Sequence, residues 1–290
     1  MPAPLPDSQL IIRRLTVADV PLAMQLTVQA GWNQLPGDWL RMLDLEPDGC
    51  LAAELDGTLV GTTVCCTFAE IAWLALVLVD TAFRERGIGR RLVAAGLQYA
   101  DDSGVRTVRL DATPLGRPVY ERLGFRPQFE LSRWGGIPSG SAVEPLRPRG
   151  VVEASDAAEC EPLFALERLA TRTNRTKLLQ RLFVESPPVI VTGSNGLVAS
   201  FLTRRPGRLS TQIGPGIGSR ESCQWLLWRE LEAYRGQPVI IDIPVDRTDL
   251  NLIAQQAGLT VQRTLLRMYR GESILENPEL FQISSGAELG

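Results

Sequence analysis

The chain has 290 residues, of which 44% are hydrophobic, and a formal net charge of −3; these values predict two soluble domains and give no sign of a nucleic-acid partner. The longest apolar run, residues 71–79, is too short to span a bilayer, and the first ten residues lack the cationic and apolar regions of a secretory signal, so no membrane partner is expected. The sequence contains no histidine, which excludes a serine or cysteine nucleophile activated by histidine and the usual zinc sites, so no metal is expected. The five cysteines lack the spacing of a disulfide framework, which favours reduced thiols in a cytoplasmic protein.

The first half of the sequence alternates between strand and helix patterns. Thr16 and Asp19 resemble a capping box, which predicts where the first helix begins. The pair Asp56-Gly57 is a strong signal for a two-residue hairpin turn. The predicted elements are a strand at 9–15, a helix from 16, a helix at 38–45, hairpin strands at 51–55 and 59–67, an apolar strand at 71–79, a helix to about 102, a strand at 107–112, a helix at 117–123 and a strand at 128–134.

The second half repeats much of this order after a stretch rich in Gly, Pro and Ser. That stretch, residues 135–150, predicts a linker. A capping start is predicted at Asp156 and Glu159, and a hairpin turn at Asn195-Gly196. Helical patterns follow this capping start and run through Leu182. The other predicted elements are hairpin strands at 189–192 and 197–203, a strand leading into 212–222, a helix to 234, a strand at 238–243, a helix at 250–257 and a strand at 260–268.

Two short matches support an internal repeat. RGIGRR at 86–91 corresponds to PGIGSR at 215–220, and GF at 124–125 corresponds to GL at 258–259, each in the same place within the predicted order. We therefore predict two copies of one mixed α/β domain. The predicted boundaries are 1–134 for the first domain, 135–150 for the linker, 151–272 for the second domain and 273–290 for a C-terminal tail.

The stretch RERGIGRRL, residues 84–92, follows the apolar strand and opens a helix. Free N–H groups at a helix start form an anion site, and Gly87 and Gly89 allow a ligand close to the backbone. Arg84, Arg86 and Arg90 add charge that suits phosphate oxygens. The sequence therefore predicts a pyrophosphate site.

Two other interpretations of this stretch stay open. It can be a tight strand–helix connection with solvated arginines. A dinucleotide fingerprint would need a third glycine where Leu92 stands, although Asp111 lies at the spacing of a ribose-binding acid. A Walker A loop is excluded because the only lysine is Lys177.

The pattern Arg84-x-x-Gly87-x-Gly89 after a strand resembles the acetyl-CoA signature of the GNAT acetyltransferase superfamily. LDATPLGRPVYERLGF, residues 110–125, resembles its second motif, in which the tyrosine corresponds to Tyr120. The resemblance covers about residues 9–134, and the second half resembles a degenerate GNAT domain, as in tandem bacterial members of the YitH type. It implies an α/β (mixed α+β) fold of two tandem GNAT-like domains, each with a mostly antiparallel central sheet flanked by helices.

The resemblance also implies a function and a set of site residues. It implies an N-acetyltransferase that moves acetyl from acetyl-CoA to a primary amine of a small molecule or peptide by direct attack, with Tyr120 as general acid on the departing thiolate. The alternative is a non-catalytic acyl-CoA-binding sensor or regulatory module, and a nucleotide-linked oxidoreductase is a remoter possibility. The implied cofactor-binding residues are Leu76, Val77, Leu78 and Val79 along the pantetheine arm, and Arg84, Arg86, Gly87, Ile88, Gly89 and Arg90 around the pyrophosphate.

The general base and the acceptor stay open at this point. Without histidine, the amine must lose its proton to a carboxylate, to a water chain, or before it binds, and Glu70 and Asp111 are the candidate carboxylates. Trp32, Trp39 and Trp73 are candidates for lining the acceptor site. An acidic protein could favour cationic amines, but no acceptor class is selected, and a homodimer is possible.

The second copy departs from the signature. Ile213 stands where Arg84 stands in the first copy, and Ala254 takes the place of Tyr120. The second copy is therefore predicted not to catalyse. It keeps Gly216 and Gly218, which leaves residual cofactor binding open.

Overall fold

The computed structural model describes residues 10–148, 151–153, 160–193 and 196–290. These residues form two compact units, neither of which is continuous in sequence. Unit 1 contains the residues up to Leu110 together with Pro118–Arg126 and Tyr269–Glu272, and unit 2 contains Asp111–Arg117, Pro127–Met268 and Ser273–Gly290.

Unit 1 is a sheet of five strands with helices, in the order β1-β2-β3-β4-β5. Neighbouring strands are antiparallel except for the parallel pair β4 and β5. The end of a later strand, β12 (Thr260–Gly271), continues this unit, and just after it Glu272 N–H donates to Arg106 O at 3.0 Å. The elements are β1 (Leu10–Arg14), α1 (Val20–Gln29), α2 (Pro36–Leu45), β2 (Cys50–Leu55), β3 (Thr58–Phe68), β4 (Ile71–Val79), α3 (Ile88–Asp102), β5 (Thr107–Ala112) and α4 (Arg117–Arg122).

Helix α3 packs tightly on β4. Leu92 and Val93 are completely buried on the inner face of the helix. A Cβ built at Gly96 would lie only 2.7 Å from Leu74 Cδ1, so a larger residue at this position would require the Leu74 side chain to shift. Glycine at this position lets the middle of α3 lie close to the middle of β4.

The predicted capping box is present before α1. The Asp19 carboxylate accepts hydrogen bonds from Thr16 N–H and Thr16 Oγ1, each at 2.8 Å. Arg13 donates to both carboxylate oxygens at 2.8 Å. The Arg13 hydrogen bonds, helped by those from Thr16, lower the pKa of Asp19 to about 2.

Unit 2 has a sheet in the order β12-β6-β11-β10-β9-β8-β7, with β13 paired to β10. Its core includes Leu226 and Leu227 of α7, Ile241 of β11 and Leu250 of α8. The elements are β6 (Arg126–Gly136), β7 (Val151–Glu153), α5 (Glu161–Thr171), α6 (Thr176–Glu185), β8 (Val189–Thr192), β9 (Val198–Arg205), β10 (Thr211–Gly218), α7 (Arg220–Ala233), β11 (Val239–Pro244), α8 (Thr248–Gln256), β12 (Thr260–Gly271) and β13 (Phe281–Ile283).

The predicted fold class is confirmed: the chain is mixed α/β with mostly antiparallel sheets and flanking helices. Strand β6 belongs to unit 2 because it pairs with β11 over six positions, from Val239↔Gly136 to Pro244↔Leu131. Two predicted features lie outside the described residues. They are the helix cap at Asp156 and Glu159 and the first residue of the predicted turn, Asn195. The predicted domain boundaries stay a prediction.

The helices and the cysteines of the described residues each show one further feature. None of the helices in these ranges has the length and apolar character needed to cross a membrane. The cysteines Cys50, Cys65, Cys66, Cys160 and Cys223 are all buried as free thiols.

Candidate active site

Strands β4 and β5 part before β4 ends. Their parallel pairing covers Ile71↔Thr107, Ala72↔Val108 and Trp73↔Arg109. Strand β4 nevertheless continues to Val79, six residues beyond the last pair. The edge of β4 that faces away from β3 therefore carries backbone groups that β5 does not pair.

A β-bulge lies in this unpaired part of β4. Thr62 pairs with Leu78 and Val64 pairs with Ala75, so Leu76 and Val77 together oppose the single residue Thr63. Leu76 has a φ of +51°, which is unusual for a residue with a side chain. The Thr62 hydroxyl donates to Leu76 O at 2.9 Å.

A short connection joins β4 to α3. The Asp80 side chain accepts from Ala82 N–H at 2.8 Å and starts a 3-10 turn, Thr81–Phe83. Gln29 of α1 accepts from Thr81 N–H at 3.0 Å, which ties the turn to α1. Gly87 then adopts a φ of +82° and caps α3.

The start of α3 presents free N–H groups. In the first backbone hydrogen bond of the helix, Arg91 N–H donates to Gly87 O at 3.1 Å. The N–H groups of Ile88, Gly89 and Arg90 therefore have no partner within the helix, and they lie at the positive end of the helix dipole. A Cβ built at Gly87 would meet no atom within 4 Å, so there is open space beside Gly87 at this helix start, a place where free N–H groups commonly bind an anion.

The arginines of residues 84–91 differ in what their side chains contact. Arg84 Nε donates to Val79 O at 3.1 Å, and the Arg86 guanidinium lies 5.5 Å from the centre of the Phe83 ring, so both side chains lie along the loop. Arg90 is exposed on the first turn of α3. Arg91, in contrast, donates to Leu10 O at 2.8 Å and holds β1 in place.

Tyr120 lies on α4, in the part of that helix that belongs to unit 1. Its ring packs edge-on against Phe125, with the ring centres 5.7 Å apart. Within the described part of the chain its hydroxyl makes no hydrogen bond. Burial raises the pKa of Tyr120 to about 12, so the phenol keeps its proton throughout the neutral range.

Glu70 is not brought together with the loop. It lies in the turn before Ile71, whereas the loop follows Val79 at the opposite end of β4. Nine residues of extended strand span about 30 Å. The Glu70 carboxylate instead pairs with Arg106 at 3.0 Å on the surface of the unit.

Asp111 is engaged in a buried ion pair in unit 2. Both of its carboxylate oxygens accept from Arg267, from Nε and Nη2, each at 2.8 Å. Burial raises the pKa of Asp111, and the Arg267 charge and hydrogen bonds oppose that rise. Arg267 also donates to Glu276 at 2.8 Å, so Asp111 belongs to a closed network rather than to an open site.

The three tryptophans proposed for the acceptor site lie in different environments. Trp39 is completely buried, and its Nε1 donates to Thr27 Oγ1 at 3.2 Å between α1 and α2. Trp73 is 4% exposed in the middle of the sheet. Trp32, which follows Gly31 at the end of α1, keeps part of its surface exposed. The geometry therefore leaves Trp32 as the candidate among the three that can contact a ligand.

The glycines of the second copy do not form a loop, and the predicted match between RGIGRR and PGIGSR does not extend to structure. Gly216 and Gly218 lie within β10, and Ser219 caps α7 directly after that strand. A Cβ built at Gly218 would lie 2.2 Å from Ala199 O, and one at Gly216 would lie 3.0 Å from Ile283. Glycine at these two positions therefore allows close packing of β10 against its neighbours.

Strands β10 and β11 also part, but strand β13 fills the opening. Their parallel pairing covers Thr211–Ile213 of β10. Beyond it, β13 pairs with β10 at Gly216↔Ile283, and Ser284 N–H donates to Asp242 O of β11 at 2.9 Å. The space that stays open beside β4 in unit 1 is thus taken by the chain's own residues in unit 2.

Sequence reasoning missed β13 because it lies in the segment treated as a tail. The alternation of Phe281 and Ile283 around Gln282 is a weak strand signal that could have indicated it. Among the described residues no group of histidine, cysteine, aspartate and glutamate side chains is arranged to hold a metal ion.

Two protein-family models match the chain. The model for the acetyltransferase (GNAT) family matches residues 23–125, and a model for an acetyltransferase (GNAT) domain matches residues 163–281. The chain is 24% identical over 268 residues to the uncharacterized N-acetyltransferase YitH of Bacillus subtilis, a match that covers 91% of this chain and 93% of that protein.

Solved structures share the fold. The crystal structure of a proposed acetyltransferase from Pyrococcus horikoshii matches with a TM-score of 0.81 at 21% identity, over 99% of this chain and 98% of that chain. A GCN5-related N-acetyltransferase from Sphaerobacter thermophilus matches with a TM-score of 0.67 at 18% identity, over 92% and 96% of the two chains. With family models matching both halves, this chain belongs to the GNAT acetyltransferase family and carries two such domains in tandem.

Proposed function

We propose that unit 1 is an N-acetyltransferase that binds acetyl-CoA and transfers its acetyl group to a primary amine by direct attack. The observation that carries this proposal is the open edge of β4 immediately before the free N–H groups of α3. An extended, amide-containing arm can pair with a strand edge, and its pyrophosphate can then bind at the helix start. Acetyl-CoA joins these two chemical features in one molecule.

The residues at the loop suit the anionic part of this ligand. The N–H groups of Ile88, Gly89 and Arg90 lie at the helix start, next to the open space at Gly87. Arg84 and Arg86 contact carbonyls of the loop that leads into this helix. Backbone donors and guanidinium groups are both strong partners of phosphate oxygens. The backbone of Leu76 to Val79 supplies the partners for the pantetheine arm.

Tyr120 is the proposed general acid. Acetyl transfer breaks the carbon–sulfur bond, and the departing thiolate takes up a proton. The Tyr120 phenol, with a pKa of about 12, is protonated at neutral pH and is not needed in any other hydrogen bond of the described chain. Phe125 holds the ring of Tyr120 by edge-to-face packing, which orients its hydroxyl.

The amine must reach the site without its proton. Glu70 lies at the wrong end of β4 and Asp111 has both oxygens bound by Arg267, so neither carboxylate is proposed as the base. We propose that the acceptor binds as the free amine or loses its proton through water. The reaction then depends on the pKa of the acceptor more than on a side chain of the protein.

Turnover with a panel of amines tests the proposal. Release of free coenzyme A thiol is followed with acetyl-CoA and, in turn, polyamines, amino acids, aminoglycosides and peptides with free N-termini. We expect release that depends on both acetyl-CoA and one class of amine. Binding of acetyl-CoA without turnover on any amine would instead support the non-catalytic acyl-CoA sensor, and absence of binding would remove both.

A further inference from the structure

We propose that Thr62 of β3 is a positioning residue that directs two consecutive N–H groups of β4 toward the acyl group of the bound thioester. The inference rests on the proposed function of unit 1 and identifies a residue that acts on the reaction through the backbone. Its basis is the hydrogen bond from Thr62 Oγ1 to Leu76 O at 2.9 Å, next to the bulge at Leu76 and Val77.

Carbonyl directions in β4 depart from the regular pattern at this point. In a regular strand, successive carbonyls point to alternate sides, so only every second one faces a given neighbour. Here the carbonyls of Ala75 and Leu76 both accept hydrogen bonds from β3, from Thr63 Oγ1 at 3.4 Å and from Thr62 Oγ1 at 2.9 Å. Both carbonyls therefore lie next to β3, and the Leu76 carbonyl, which accepts the shorter bond, is the more firmly held.

The N–H directions follow from the planar peptide bond. In a trans peptide the carbonyl of one residue and the N–H of the next point in opposite directions. With both carbonyls held on the β3 side by these hydroxyls, we place the N–H groups of Leu76 and Val77 on the opposite side, at the edge that β5 has left. The φ of +51° at Leu76 is the local change that makes this possible.

The hydroxyl of Thr62 maintains this arrangement against a local cost. Thr62 and Thr63 are completely buried, so water cannot replace either hydrogen bond. A non-glycine residue with positive φ is conformationally strained, and such strain persists only where surrounding contacts impose it. Without the Thr62 hydroxyl, the Leu76–Val77 peptide would lose its anchor and could rotate toward regular strand geometry.

Two adjacent N–H groups at the open edge suit the chemistry of acyl transfer. When an amine attacks the thioester, negative charge develops on the acyl oxygen, and fixed donors aimed at that position lower the barrier. The groups act in the transition state more than in binding of the coenzyme. Thr62 should therefore influence the rate constant kcat and leave the affinity for acetyl-CoA largely unchanged.

The test compares Thr62→Val with Thr62→Ser and a matched control. Valine keeps the shape of threonine and removes the hydroxyl, whereas serine keeps the hydroxyl. Thr203→Val is the control, because Thr203 is also buried and donates to a backbone carbonyl at 2.9 Å, that of Ser186 in unit 2. For each variant, kcat, the Kd of acetyl-CoA and the thermal midpoint are measured.

We expect Thr62→Val to lower kcat by about tenfold with little change in the Kd of acetyl-CoA, since a displaced donor costs less than the loss of 10²-fold or more on removing one. Thr62→Ser and Thr203→Val should keep the wild-type kcat. The inference is overturned if Thr62→Val keeps full kcat, or if kcat and acetyl-CoA affinity fall together, because either result limits Thr62 to a structural role. A wild-type chain without turnover would remove the proposed function itself.

A second measurement uses the wild-type chain and does not depend on folding of a variant. The backbone amide resonances of Leu76 and Val77 are compared in the presence of acetyl-CoA and of coenzyme A, which lacks the acyl oxygen. We expect both resonances to shift more with acetyl-CoA, because their N–H groups contact that oxygen. Equal shifts with both ligands would contradict the inference.

Discussion

Tyr120 illustrates how the environment of one residue supports a chemical role. Its phenol, with a pKa raised to about 12, is protonated at neutral pH, and Phe125 packs edge-on against its ring. We predict that Tyr120→Phe lowers kcat by about 10²-fold to 10³-fold, within the range for loss of a general acid, and leaves the Kd of acetyl-CoA unchanged. Steady-state kinetics and titration calorimetry on the same protein measure both values. A variant with full kcat would remove Tyr120 from the mechanism.

The raised pKa of Tyr120 also predicts the pH dependence of the reaction. The group ionises only as the pH approaches 12, so it stays an acid over the whole range in which an enzyme is assayed. The rate at low acceptor concentration should therefore rise with pH as the amine loses its proton, with a slope of about one in logarithmic units, and then level off. Rates from pH 6 to 10 measure this. A decline above pH 8 that disappears in Tyr120→Phe would contradict it.

The two carboxylates that sequence reasoning selected as bases should respond differently to substitution. Asp111→Asn weakens a buried ion pair and should reduce the free energy of unfolding by about 3 kcal/mol, the lower end of the range because Glu276 still pairs with Arg267. Glu70→Gln removes an exposed ion pair and should change neither stability nor kcat/KM. Urea unfolding and amine-dependent turnover decide both. Loss of turnover in Glu70→Gln with unchanged stability would contradict the placement.

At the scale of an element, the start of α1 shows how a cap and an ion pair combine. Asp19 accepts from Thr16 and pairs with Arg13, and its pKa is lowered to about 2. We predict that Asp19→Asn lowers the free energy of unfolding by about 1–2 kcal/mol at pH 7, a typical value for such a cap. Asp48→Asn is the control, because Asp48 pairs with Arg14 on the exposed surface.

The sign of the pH effect follows from the lowered pKa of Asp19. The contribution is fully present above the pKa of the unfolded carboxyl, near 3.8, and is lost as the pH falls toward 2. The difference in unfolding free energy between wild type and Asp19→Asn should therefore shrink between about pH 4 and pH 2. A constant difference over that range would show that the carboxylate charge does not carry the effect.

Local signals in the sequence predicted most elements, and long-range packing decided the rest. The turn at Asp56-Gly57, the cap at Asp19 and the strand at 107–112 depend on nearby residues, so their patterns can be read directly. The glycines at 216 and 218 carry the same local signal as those at 87 and 89. Their different role depends on Ile283 and Ala199, which are distant in sequence and invisible to a local pattern.

The candidate site shows the same division between local and distant information. The loop residues and Tyr120 can be selected from motifs because each motif is a continuous segment. The exclusion of Glu70 follows from the length of β4, which the sequence already contained, whereas the ion pair of Asp111 with Arg267 joins residues 156 positions apart. The bulge at Leu76 depends on register with β3, which a single strand pattern does not reveal.

At the scale of the whole molecule, two related domains have different openings beside their central strands. In unit 1 the edge of β4 is open, and a loop with free N–H groups follows it. In unit 2 the corresponding opening is filled by β13, and α7 begins directly after β10. We therefore propose one coenzyme-binding site per chain, in unit 1.

Titration calorimetry with acetyl-CoA tests this central claim most directly. It compares wild type with Gly87→Trp, which places a large side chain in front of the free N–H groups, and with Gly57→Trp. Gly57 is the matched control, because it also has positive φ, at +76°, and open space around its Cβ position but lies in a hairpin turn. We predict one site per chain in wild type and in Gly57→Trp and no binding in Gly87→Trp. Two sites per chain, or binding that survives in Gly87→Trp, would contradict it.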